Sequence, residues 1–222
     1  MGNRRGHQRQ LHGRRPEAGM NALPSPEEVH RFWFGEEAGA PAVLETKAKL
    51  WFNGGKDFDR ELTERFLPLL ETLSAGPLAY DWASRGAKGR LAAILVLDQM
   101  SRNIFRGSPR AFAQDMLALH LCKDGLAKGE DGAVSEAERV FFYLPLEHSE
   151  AMEDQQRAVS LFDALAKDAR EPFAAFTKNT LDYAHQHLDV IRQFGRFPHR
   201  NAVVGRASTP EEQAWLAEGG GF

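Results

Sequence analysis

The chain has 222 residues, of which 42% are hydrophobic and 27% charged, and its formal net charge is −3. That is an ordinary globular balance with enough chain for a substantial core, and the slight acidity argues against a dedicated nucleic-acid binder, which needs a basic excess. The single cysteine, Cys122, excludes an internal disulfide and fits a small buried side chain in a reducing, cytoplasmic setting.

In chain order, the first segment, "MGNRRGHQRQLHGRRPEAG", carries five arginines and no acid before Glu17. It lacks the apolar block of a secretory signal. We expect a disordered basic tail over residues 1–24, with Met20 as an alternative start, and a single all-helical domain over 25–222. "SPEE" at 25–28 predicts a helix start, with Ser25 as N-cap, Pro26 in the first turn and Glu28 closing a capping box. Gly35 ends that helix. A second runs from about Pro41 to Phe52, and a third carries Phe58, Leu62, Phe66, Leu69 and Leu73 on one face, kinked by Pro68. A short helical turn follows around "LAYDW".

Residues 89–105 read as one central helix, apolar nearly all round in its first half. Its longest apolar run, "LAAILVL" at 91–97, is too short to cross a bilayer. Ser108 and Pro109 open a helix carrying Phe112, Met116 and Leu119, closed by Gly125. "KGEDGA" reads as a loop. "SEAE" at 135–138 is another capping box, and Pro145 interrupts the run that it starts. Helices from about Glu150 to Ala166, with Met152, Val159 and Phe162 inward, and from Pro172 to Phe194 follow, and "TPEE" at 209–212 starts a last short one. No segment alternates with period two, so the fold class is all-α, with short connections favouring antiparallel helix pairs.

Three segments carry directional chemistry. In the central helix Asp98, Gln99, Arg102, Asn103 and Arg106 fall on one stripe. They form either an Asp98–Arg102 packing lock or the wall of a cleft with arginines facing an anion. In "YLPLEHSE" at 143–150, Glu147, His148 and Glu150 cluster at a bend. Carboxylate beside imidazole is raw material for acid–base catalysis or for a metal site, but the spacing matches no helical zinc motif. In "YAHQHLDVIRQFGRFPHRN", Tyr183 and His187 share a helix face, Gly195 caps the helix, and Arg196, Phe197, His199, Arg200 and Asn201 follow as a dense donor set. Guanidinium forks suit carboxylate or phosphate; alternatively, these donors satisfy helix-end carbonyls and nearby acids.

With "FWFG", "DQMSRNIFRGSPRAFAQD", "FFYLPLEHSE", "YAHQHLDVIRQFGRFPHRN" and "GRASTPEE" spanning about residues 26–217, the chain resembles the bacterial family called domain of unknown function 924. The resemblance implies a tetratricopeptide-like α-helical superhelix and leaves activity open. It also implies that the three polar segments, which carry the likeness, meet in one place. The leading functional expectation is a binding module whose Arg/His/Glu cleft takes a small anionic ligand or an acidic peptide, with no metal, cofactor or membrane. Asp98, Arg102, Asn103, Arg106, His187, Arg196, Phe197, His199, Arg200 and Asn201 would be its ligand-binding residues. The alternatives are a hydrolase or transferase using Glu147, His148, Glu150 or His199, and a protein whose polar cluster only locks helix packing.

Overall fold

The computed structural model describes residues 22–222, so most of the expected basic tail lies outside the described residues. Helix α1 (Pro26–Phe34) starts on the Ser25–Glu28 capping box: Ser25 Oγ accepts the Glu28 amide at 3.3 Å, and Glu28 accepts the Ser25 amide at 2.7 Å. Helices α2 (Ala42–Asn53), α3 (Gly55–Ser74) and α4 (Pro77–Ser84) follow, with Pro68 inside an unbroken α3. Capping boxes also open α8 (Glu136–Glu147) and α11 (Pro210–Ala217), on Ser135 and Thr209. The described residues contain no strand, as the missing period-two pattern leads one to expect.

The central segment is not one regular helix. It comprises α5 (Ala87–Ile94), a π-helical stretch over Leu95–Met100, and a single turn, α6 (Ser101–Ile104). Every residue from Gly89 to Ser101 is buried, so this rod is the axis of the core. A π turn holds about one residue more than an α turn and occurs frequently at functional sites; here it spans Asp98 and Gln99.

Several expected boundaries are corrected. The helix anticipated from Ser108 is broken: Pro109–Phe112 forms a 3-10 turn, and α7 begins at Asp115 and runs to Ala127. Gly125 does not close α7. It lies within the helix, where a Cβ would come within 2.5 Å of Arg90 Cδ and 2.6 Å of Phe142 Cζ, so space and not dihedral freedom requires glycine. The "KGEDGA" loop contains a 3-10 turn, Glu130–Ala133. Pro145 does not interrupt α8, because its missing N–H deletes one hydrogen bond near the helix end and His148 serves as the C-cap. Met152, expected inward, is exposed.

Helices α9 (Met152–Asp168) and α10 (Glu171–Phe194) pack against each other and against α8. The core is aromatic where α1, α2 and α8 meet. The Phe141 ring lies edge-on to Trp33, Phe34 and Trp51, with centroids 5.6, 5.5 and 4.9 Å away. Trp51 Nε1 donates to the Trp33 carbonyl at 2.9 Å. A buried cation stands beside this core: Arg90, 1% exposed, donates to Glu130 at 2.7 Å and to the Leu121 carbonyl at 3.0 Å. Cys122 is buried, and burial pushes its thiol up, away from reactivity.

Candidate functional site

The π stretch carries Asp98 with no exposed surface, the end of α8 brings Glu147 and His148, α10 brings His187, and the 3-10 turn Pro198–Arg200 brings Arg200. Asp98 Oδ1 accepts His148 Nδ1–H at 2.8 Å and faces Arg102 at 3.0 Å. Gln99 donates to the other Asp98 oxygen. Burial alone would raise the Asp98 carboxyl, but the Arg102 charge and the hydrogen bonds of His148 and Gln99 outweigh it and hold Asp98 ionised. His148 is lowered, first by burial and then by the Arg102 charge, so at neutral pH it is an uncharged imidazole. Because Asp98 takes the Nδ1 proton, the lone pair sits on Nε2.

Arg102 forks onto Asp115, with both N–H···O distances 3.0 Å. That leaves Arg200 a single 3.4 Å contact to the same carboxylate. Arg200 is instead clamped between two rings, its Cζ 4.7 Å from the Phe112 centroid and 4.5 Å from that of Phe197. It is 8% exposed and its Nε has no partner. Burial and the Arg102 charge lower it to about 10.

Behind this layer, His187 Nδ1–H donates to the Tyr183 carbonyl at 2.9 Å and lies 3.2 Å from Glu147 Oε1. Burial and the Asp98 charge raise Glu147 to about 8, and burial and the neighbouring His148 lower His187 to about 3. The contact therefore joins a protonated acid to a neutral imidazole and is not an ion pair, and Glu147 Oε2 has no partner. His199 is lowered to about 4, by burial and Arg200, and its Nδ1 is unpartnered. The Phe222 ring stacks on His187 with centroids 3.6 Å apart.

A cleft of about 370 Å³ opens over this cluster. Asp115, His148, Ser149, Glu150, Arg200 and Arg206 supply its polar groups, and Phe112 and Pro145 part of its apolar wall. Glu150 is already engaged: Arg206 forks onto it at 2.7 and 2.8 Å and the Phe197 amide donates to it at 2.8 Å. Burial raises the Glu150 carboxyl, but the Arg206 hydrogen bonds outweigh that and keep it below the usual range.

Thus Asp98, Arg102, Glu147, His148, His187, Phe197, His199 and Arg200 converge, with Glu150 at the rim. The rest of the expected set goes elsewhere. Asn103 and Arg106 turn from the stripe to Asp59 on α3, at 2.8 Å and at 2.7 and 2.9 Å, because α6 ends at Ile104. Arg196 forks onto Glu212 at 2.6 and 2.8 Å, and Asn201 donates to the same carboxylate at 3.1 Å, so these two anchor α11. Asp115, Phe112, Arg206 and Phe222 are cluster residues that sequence reasoning passed over. In the sequence Asp115 is only one of many acids between Arg102 and the arginine-rich loop, so nothing singles it out.

Among the described residues no group of three or more His, Cys, Asp or Glu could hold a metal ion, and no helix is long and apolar enough to cross a membrane. Fold and site together define an all-α protein with an Asp–His–Arg cluster at the floor of an open cleft. The chain belongs to the family described as bacterial protein of unknown function (DUF924), which it matches over residues 29–220. It is similar to the solved structure of a protein of unknown function from Agrobacterium tumefaciens, with 35% identity and a TM-score of 0.73, covering 87% of this chain and 97% of that one. No protein with a curated description matches it.

Proposed function

We propose that the cleft binds a small carboxylate or phosphate anion, with Arg200 as its principal partner. The observation that carries this is the state of Arg200. Asp115 is spent on Arg102, the flanking rings fix the guanidinium without satisfying its donors, and Nε is buried and unpartnered. A buried polar group left without a partner costs roughly 1–3 kcal/mol, and an anion that supplies the missing acceptor recovers it. The cleft volume suits a small molecule better than an acidic peptide.

The test is titration calorimetry with inorganic phosphate at low ionic strength. Binding at about millimolar Kd or tighter is expected, lost in Arg200→Ala and kept in Arg106→Ala, whose guanidinium is engaged at Asp59. Equal binding by the parent and Arg200→Ala, or none by the parent, sinks the reading.

A further inference from the structure

We propose that His148, backed by Asp98, is a general base that uses water to hydrolyse an ester of a carboxylate-bearing molecule held by Arg200. This rests on the anion reading above and goes beyond it to a reaction.

Three observations converge on it. First, the tautomer is fixed. The Asp98 carboxylate, fully buried and held by Arg102, accepts Nδ1–H at 2.8 Å, so Nε2 carries the lone pair, and His148 lines the cleft. A carboxylate orienting an imidazole in this way is the arrangement that makes histidine a directional base. Second, the competing groups are occupied. Ser149 Oγ donates to Asp154 at 2.8 Å and accepts the Ala151 amide at 3.2 Å, which leaves no free hydroxyl for an acyl-enzyme route. Both oxygens of Glu150 are bound by Arg206 and the Phe197 amide. Water is the remaining nucleophile. Third, the cationic inventory selects the substrate. Arg102 and Arg206 are each already forked onto a carboxylate, and Arg206 keeps only its Nε unpartnered, whereas Arg200 has no fork, a single 3.4 Å contact to Asp115 and an unpartnered Nε. One free guanidinium suits one carboxylate, whereas charge spread over a transferring phosphoryl group calls for a fuller clamp. The apolar wall at Phe112, Leu119 and Pro145 takes the hydrocarbon between carboxylate and ester.

The step balances. Nε2 takes a proton from water as the water oxygen bonds to the acyl carbon. The tetrahedral intermediate collapses, the bond from the acyl carbon to the alcohol oxygen breaks, and the imidazolium returns its proton to that oxygen.

The experiment compares the 4-nitrophenyl monoester of adipic acid with neutral 4-nitrophenyl acetate on the full chain. The expected result is a kcat/KM at least about tenfold higher for the anionic ester, with kcat lowered by about a hundredfold or more in His148→Gln and KM raised in Arg200→Ala. Asp98→Asn, which no longer fixes the tautomer, should lower kcat as well, with thermal melts confirming that each variant is folded. The acid limb of the parent's kcat should lie below the ordinary histidine range, since burial and Arg102 hold His148 down. Equal rates on the two esters, turnover that survives His148→Gln, or no turnover above buffer overturns the proposal. Phosphate binding without turnover defeats the reaction alone, and loss of phosphate binding by the parent defeats the anion reading too.

Discussion

The two ends of this molecule solve burial in opposite ways. Around Phe141 the rings of Trp33, Phe34 and Trp51 pack edge to face, and Trp51 Nε1 finds the Trp33 carbonyl. Around Asp98 the interior lies under an open cleft and is filled with ionisable groups, and several are left short of partners: Glu147 Oε2, His199 Nδ1, Arg200 Nε and Arg206 Nε. Among the described residues, Trp33 Nε1 is the one comparable orphan on the aromatic side. An interior that keeps unsatisfied polar atoms gives up stability that apolar packing would supply, and the aromatic end offsets that cost. The difference separates the part that holds the fold from the part that is available for binding.

The largest expected effect breaks the aromatic end. Phe141→Ala should lower stability by about 3–5 kcal/mol, read as a shifted urea midpoint, and a change below about 1 kcal/mol would show that Phe141 is not the hub. Next comes the pH dependence of the polar end. Glu147 titrates near 8 in the folded chain against the ordinary 4.5. Its protonated form therefore contributes stability that is full below about 4.5 and lost as pH rises through 8, by a few kcal/mol in order of magnitude. His187 and His199 have the opposite sign: folded values near 3 and 4 against 6.5 give stability that is full above 6.5 and lost as pH falls. Melting curves should peak near pH 6–7, and Glu147→Gln should flatten the alkaline side and steepen the rise between about pH 4.5 and 6.5; an unchanged alkaline decline would refute the assignment.

Gly125→Ala should cost about 1–3 kcal/mol by overpacking, because the added carbon meets Arg90 and Phe142; a neutral result would mean that Arg90 can shift. The smallest effect belongs to the exposed pair. Arg106→Ala should change stability by no more than about 1 kcal/mol and leave phosphate affinity unaltered. A large loss of affinity would return Arg106 to the site from which its bonds to Asp59 remove it.

The residues that could be read in advance were those governed by local rules. Ser25, Ser135 and Thr209 cap their helices as the S/T-x-x-E pattern dictates, and Cys122 is buried. Convergence of Asp98, His148 and Arg200 was expected, and so was the pairing of Asp98 with Arg102 four residues on; the partners on other elements were not, since they depend on side-chain reach. Arg196 and Arg200 lie four residues apart in one loop, yet Glu212 takes one and leaves the other open. Asp115 was overlooked because the break after Phe112, which places it at a helix start, leaves no mark in hydrophobic periodicity.

The π stretch at Leu95–Met100 has a consequence for how this chain can change. A π turn holds about one residue more than an α turn, so the stretch takes up an extra residue while the helix beyond it keeps its bearing. Removing one residue there would restore α-helical pitch and leave Arg102 facing Asp115. The change would fall on the residues of the widened turn themselves, Asp98 and Gln99, and so on the bond from His148 to Asp98. A single-codon deletion in an apolar run would thus act on the acid behind the imidazole while sparing the rest of the rod.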